Sequence, residues 1–157
     1  MTDSQLQEIA NEIRQTYQNM MKLAKNFTEE NFNKMFEFWV ESNDESWLGN
    51  PAIWVSNIQI IPTLEKLDES WRPAIDRRAS EELEMIDDYV AVLSHDHAIY
   101  VLKAKYTIND IDGNTYENLM TATTVYVKKN GVWKILHYHQ SWAPEKQKTQ
   151  EEKKTEK

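Results

Sequence analysis

The stretch DGNTYENLMTATTVYVKKNGVWKILHYHQSWAP, residues 112–144, holds two runs of β-branched and aromatic residues separated by Lys129-Asn130-Gly131. Asn-Gly between such runs signals a hairpin, because both residues tolerate the positive φ of a tight turn. The runs predict strands over 115–128 and 132–142. A two-residue turn at Asn130-Gly131 sets Lys128 opposite Trp133 and Tyr126 opposite Ile135. A three-residue loop, with Gly131 as a left-handed bulge, sets Val127 opposite Trp133 and Val125 opposite Ile135. The second register groups β-branched and aromatic residues more cleanly and is the one preferred.

Outward from this hairpin, residues 81–93 and 97–109 read as two further long strands. They are joined at Ser94-His95-Asp96, and Asp110–Asn114 leads into the strand at 115. Short links between long strands imply an antiparallel meander. Before residue 80 the period changes. Apolar residues at 6, 9, 13, 17, 20 and 24 recur at helical spacing and predict a helix from about Ser4 to Lys25. Thr28 is placed to cap a second helix, with Phe27 and Phe32 at hydrophobic-staple positions and an apolar stripe through Phe32, Met35, Phe36, Trp39 and Val40. Gly49-Asn50-Pro51 reads as a turn and residues 53–61 as a strand. A third helix carries Leu64, Leu67, Trp71 and Ile75, with Pro73 expected to kink or split it. Helices first and strands afterwards indicate an α+β fold, with N-terminal helices packed on a strongly curved antiparallel sheet.

The chain has 157 residues, 40% of them hydrophobic and 28% charged, which is the composition of one globular domain. That domain is read over residues 1–144. The remainder, EKQKTQEEKKTEK (145–157), carries no apolar residue and reads as a charged tail. Acidic residues outnumber basic ones 26 to 18, a formal charge of −8. With no basic stripe to offset it, nucleic acid is an unfavourable partner. There is no cysteine, so thiol catalysis, thiolate metal sites and disulfides are excluded. No stretch reaches the ~20 apolar residues that span a bilayer, and no signal-peptide run precedes the first helix, so a membrane is not expected as a partner and a cytoplasmic location is.

Side chains alternate across a strand. In the last strand Trp133, Ile135, His137, His139 and Ser141 share one face, and Lys134, Leu136, Tyr138, Gln140 and Trp142 the other. Both are substantially apolar, so one face is covered by helices and the other by a second subunit. His137 and His139 supply two metal ligands at most, and His95, Asp96 or His97 would have to bring a third. The expectation is therefore no metal and no cofactor. Ser141 and His139, two apart on one strand, splay in parallel and make a poor nucleophile pair. Asp87 and Asp88 are the candidates for general acid–base chemistry, since one of the two must point inward.

The ending Trp133-x-Ile135-x-His137-x-His139-x-Ser141-x-Ala143-Pro144, after Asp112-Gly113 and Asn130-Gly131, resembles the SnoaL-like branch of the nuclear transport factor 2-like superfamily. Over about the last 50 residues it is most similar to the association (hub) domain of calcium/calmodulin-dependent kinase II. The resemblance implies a cone-shaped cystatin-like fold, a pocket between sheet and helix, and self-association through the outer sheet face as a homodimer or larger ring. The hub's pocket arginines fall on Thr124, Gln140 and about Leu102 here, none of them basic, which implies a largely uncharged small organic ligand. On this mapping Tyr100, Leu102, Thr124, Tyr126, Leu136, Tyr138 and Gln140 face inward and the histidines outward. Trp39 and Trp54 join the first set as pocket wall. Three functions follow: a small-molecule-binding, self-associating domain; a proton-transfer enzyme of isomerase, cyclase or dehydratase type using Asp87 or Asp88; and a pure oligomerisation module with a filled core. An inward carboxylate beside an open cavity favours the enzyme, phenols and amides alone favour binding, and a closed core favours assembly.

Overall fold

The computed structural model describes residues 1–41 and 53–144. The turn expected at Gly49-Asn50-Pro51 and the tail from residue 145 lie outside the described residues. Helix α1, Asp3–Ala24, opens on a capping box between Thr2 and Gln5 and buries Ile9, Ile13, Tyr17, Met20 and Ala24 along one stripe. Helix α2, Glu29–Phe36, is capped by Thr28, whose hydroxyl accepts the Asn31 N–H at 3.2 Å. The Phe27 and Phe32 rings meet at 5.9 Å, completing the staple.

Helix α2 stops at Phe36, short of the predicted stripe. After a turn at residues 37–38, Trp39 bridges to Ile135 of the last strand: the Val40 N–H donates to the Ile135 carbonyl at 2.9 Å, and the Ile135 N–H to the Phe38 carbonyl. Backbone pairing with the sheet replaces the helical ladder there, and it carries Trp39 and Val40 into the core, 4% and 2% exposed. The strand expected over 53–61 is likewise divided. Strand β1, Ile53–Val55, and strand β2, Ile60–Ile61, form a small antiparallel hairpin closed by the Ser56 N–H on the Gln59 carbonyl at 2.9 Å. Helix α3, Leu64–Trp71, is capped by Thr63 and passes into a 3-10 turn, Arg72–Ala74, at Pro73. The ring has no N–H with which to continue the α-helix.

Four long strands follow: β3, Arg78–Ser94; β4, His97–Asp110; β5, Thr115–Lys129; and β6, Val132–Pro144. With β1 and β2 they form one six-stranded sheet in the order β2-β1-β6-β5-β4-β3, antiparallel except where β1 lies parallel to β6. Its inner face carries Ala98, Tyr100, Leu102, Ala104 and Tyr106 on β4 and Met120, Ala122, Thr124 and Tyr126 on β5, all buried. These side chains and the stripe of α1 make the main core. No helix among the described residues is long and apolar enough to cross a membrane.

The β5–β6 turn corrects the preferred register. Lys128 pairs with Trp133 and Tyr126 with Ile135, as a two-residue turn requires. Asn130 at φ +51 and Gly131 at φ +79 have the two positive φ values of a type I′ turn, whose twist suits the flanking strands. Beyond Ile135 the pairing shifts by one, and Val125 lies opposite His137. Leu136 is the extra residue of a β-bulge. The simple alternation therefore fails at this point. Trp133 and Ile135 are buried on the same side as Tyr138 and Gln140, not with the histidines. Three further register shifts, at Ala79, Ile86 and Leu93, lie in β3.

A methyl group added at Gly131 meets nothing within 4 Å. Gly131→Ala is therefore expected to destabilise the fold by about 1 kcal/mol through backbone strain alone. Urea denaturation checks this, and an unchanged midpoint contradicts the left-handed turn.

Candidate functional site

A cavity of about 150 Å³ lies between the helices and the inner sheet face. That is comparable to an engineered cavity that admits benzene. Helix α1 supplies Tyr17, Met20 and Met21, α2 supplies Met35 and Phe36, and Trp39 enters from the segment after it. Trp54 comes from β1, Trp71 from α3, Tyr106 from β4 and Met120 from β5, while β6 presents Tyr138, Gln140 and Trp142. The bulge at Leu136 puts these last three on the inner row. The wall is therefore mostly aromatic rings and flexible thioethers, a surface that fits flat apolar groups.

The start of β3 gives the cavity its charge. Arg77, Arg78 and Glu81 all line it. Glu81 is 5% exposed, yet both sides of its carboxylate are served: the Arg78 guanidinium and the Tyr106 hydroxyl each donate to it. Burying a carboxylate this deeply requires such partners, because the unpaired ion would cost several kcal/mol. Burial opposes the charge of Arg78, but Glu81 and Tyr106 together outweigh it and hold the guanidinium above its ordinary pKa. Burial and the negative charge of Glu81 push the Tyr106 phenol far up, so it remains a proton donor. Tyr138, pushed up to about 12 chiefly by burial, shares a hydrogen bond of 2.9 Å with the Tyr17 hydroxyl. Its ring lies parallel to that of Tyr17 at 6.5 Å.

Of the residues proposed from sequence, Trp39, Trp54, Tyr138 and Gln140 line this cavity. Tyr100, Leu102, Thr124 and Tyr126 are buried on the same sheet face but pack in the core beneath it, away from the wall. Leu136 is half-buried in the bulge and does not line the cavity. Of the two aspartates one does turn inward, but neither reaches the cavity. The bulge at Ile86 brings Asp88 under α1, where it pairs with Arg14 at 2.6 Å. Asp87 is exposed and accepts the Tyr89 hydroxyl at 3.1 Å.

The inward carboxylate is Glu81, a residue the sequence reading placed at the outermost end of its strand. Its parity with Leu83, and the arginine pair just before it, were the available signals. Arg77 and Arg78 are also the basic groups that the comparison of Thr124, Gln140 and Leu102 with the hub arginines did not anticipate. They reach the cavity from the turn before β3 and from its first residue instead.

His137 is half-buried and His139 exposed, both opposite the core. Burial, and then the nearby His139, lower the pKa of His137. Ser141 is exposed beside them. His97 is bound locally, its Nδ1 3.0 Å from both Ser94 Oγ and Asp96 Oδ1. No group of three or more histidine, aspartate or glutamate side chains among the described residues is placed to hold a metal ion.

Residues 13–145 match the SnoaL-like domain, and the chain belongs to that family. No curated protein sequence matches it. Among solved structures it is similar to the association domain of C. elegans calcium/calmodulin-dependent kinase II, with 16% identity, a TM-score of 0.65, and coverage of 89% of this chain and 99% of that one. It is similar also to a type 2 hexachlorocyclohexane dehydrochlorinase, LinA, with 13% identity, a TM-score of 0.65, and coverage of 93% and 95%. A nuclear transport factor 2-like protein of unknown function from Pseudomonas putida matches with 18% identity, a TM-score of 0.63 and coverage of 89% of each chain. The fold is thus the α+β cystatin-like, nuclear transport factor 2-like fold that the strand pattern and the resemblance implied.

Tyr106→Phe removes one of the two donors to Glu81. Hydrogen bonds to charged groups are worth about 1.5–3 kcal/mol, so this variant is expected to lose about 2 kcal/mol. The loss reads as a lower urea midpoint at an unchanged slope. A wild-type midpoint would mean that the carboxylate does not depend on the phenol.

Proposed function

We propose that this protein binds a compact, largely apolar organic molecule in the cavity between sheet and helices, and that it does so as a self-associating unit. The observation that carries the reading is the cavity itself: an aromatic and thioether wall interrupted by a few placed polar groups is the usual make-up of a small-molecule site. A panel of neutral aromatics, steroid-like compounds and carboxylates, scanned by thermal denaturation, tests it. A ligand at ~100 times its dissociation constant stabilises by roughly 2.7 kcal/mol, which raises the melting temperature by a few degrees. Met35→Trp, which fills the cavity from α2, is expected to abolish the shift. A flat panel would leave the assembly module as the better account.

A second reading is favoured by one feature, the buried carboxylate of Glu81 beside an open cavity. In that reading Glu81, in place of Asp87 or Asp88, takes a proton from the bound molecule, and the chain is an isomerase, cyclase or dehydratase. The dehydrochlorinase among its structural neighbours lends the fold's capacity for such chemistry. Binding ranks first because Arg78 and Tyr106 already engage both carboxylate oxygens. Glu81→Gln separates the two, since it is expected to keep binding and lose turnover only if the enzyme reading holds.

Self-association is supported by the sheet's outer face. Tyr89, Val101, Thr123 and His139 lie side by side across β3–β6, and Tyr89 and Val101 are 67% and 40% exposed. The similar domain of calcium/calmodulin-dependent kinase II is named for association. Sedimentation is expected to show a dimer or larger ring that Val101→Lys dissociates, and a monomeric wild type would refute it. A cytoplasmic location belongs to the same proposal, supported by the cysteine-free composition.

A further inference from the structure

His137 and His139 take no part in the inner cavity, and their surroundings on the outer face give them a different use. The ladder registers set two rows across that face. Ala91, Ile99, Val125 and His137 form one row, and Tyr89, Val101, Thr123 and His139 the other. Both rows continue into β1, where Ile53 and Val55 are the ladder partners of the histidines. In this belt the two imidazoles are the groups whose ordinary pKa places a change of charge between about pH 5 and pH 8. His137 is half-buried and His139 exposed, so contact with a partner would strip water from both.

Charged side chains border the belt. Asp87 and Lys103 are ladder partners in the next row; Asp87 accepts the Tyr89 hydroxyl, and Lys103 has no ion-pair partner among the described residues. One row farther, Lys105 pairs with Glu117 at 2.8 Å. The charged residue of β6 is Lys134, whose ammonium donates to the Glu37 carbonyl. Beside the imidazoles β5 presents Val125 and Thr123 and β1 presents Val55, none of them titratable. Such a face suits a second copy of the chain. Two copies that each carry a charge of −8 repel one another, and an uncharged belt is where they approach at least cost. Asp87 and Lys103 on its border have opposite signs, so a two-fold axis can set each against its opposite in the partner.

An imidazolium enclosed in this belt would have no carboxylate to pair with, and an unpaired buried charge is costly. We infer that the outer face joins two copies in a pH-dependent manner, with His137 and His139 as the switch: neutral imidazoles permit the contact and protonated ones dissolve it. The inference rests on the self-association proposed above. Burial, and then His139, already hold His137 below its ordinary pKa in the single chain. Contact lowers it further, so association is complete above the histidine range and is lost as the pH falls through it.

Sedimentation of the full chain at about pH 7.5 and about pH 5.5 tests this. Each imidazole whose pKa drops by one unit on association weakens the dimer by up to about tenfold once protonated. With two in each protomer, the dissociation constant is expected to rise at least about tenfold at the lower pH, while circular dichroism shows a folded chain. The double variant His137→Gln, His139→Gln keeps neutral polar groups at both positions and is expected to stay associated at both pH values. Should the lower pH unfold the chain, imidazole titration by nuclear magnetic resonance in dilute and concentrated protein makes the same test, with lower pKa values expected in the concentrated sample. A wild type associated equally at both pH values, a double variant that dissociates as the wild type does, or imidazole pKa values independent of concentration overturns the inference and leaves self-association standing. Monomers at both pH values overturn both.

Discussion

One extra residue in β6 decides which side chains meet the helices. Without the bulge at Leu136, the strand would carry Trp133 and Ile135 on one face and Tyr138, Gln140 and Trp142 on the other. With it, both groups turn inward. Trp133 and Ile135 close the core near the turn, where the Trp133 indole donates to Glu12 of α1 at 2.7 Å. Tyr138, Gln140 and Trp142 then line the cavity farther along. A bulge also bends its strand and increases its twist, which helps the sheet curve around α1. The histidines are left outside by the same shift.

The inner face thus carries an unusual polar load for a surface packed under helices. Tyr17 and Tyr138 share a hydrogen bond, and Tyr106 and Arg78 each donate to Glu81. Such arrangements define a unique packing better than an all-apolar core does, although they contribute little net stability. Burial keeps both phenols protonated, and the pairing with Arg78 and Tyr106 holds the Glu81 carboxylate at the cavity wall.

Much of this was legible in the residues. The helical spacing of α1, the Thr28 cap with its Phe27–Phe32 staple, the break at Pro73 and the four strand spans all follow local rules, and those rules held. What failed was whatever depended on counting parity past a bulge. Neither Leu136 nor Ile86 carries a glycine or proline to mark the extra residue. The face of Leu136 and the companions of Trp133 were misjudged for that reason. Trp39 reached the pocket by a route that the helical stripe did not suggest, since its backbone pairs with Ile135. Glu81 was overlooked because a glutamate at a strand's start looks solvated, and only the fold brings Tyr106 and Arg78 to it.

The central claim is that small molecules enter the inner cavity and leave the histidine-bearing face untouched. Nuclear magnetic resonance can watch both at once, through the tryptophan indole N–H signals and the imidazole signals of His137 and His139. On titration with a bound aromatic probe, the account predicts that the Trp54 and Trp142 indoles move, with Tyr138→Phe altering the effect, while both imidazoles stay still. Imidazole signals that move while those indoles do not would place the binding site on the outer face and contradict it.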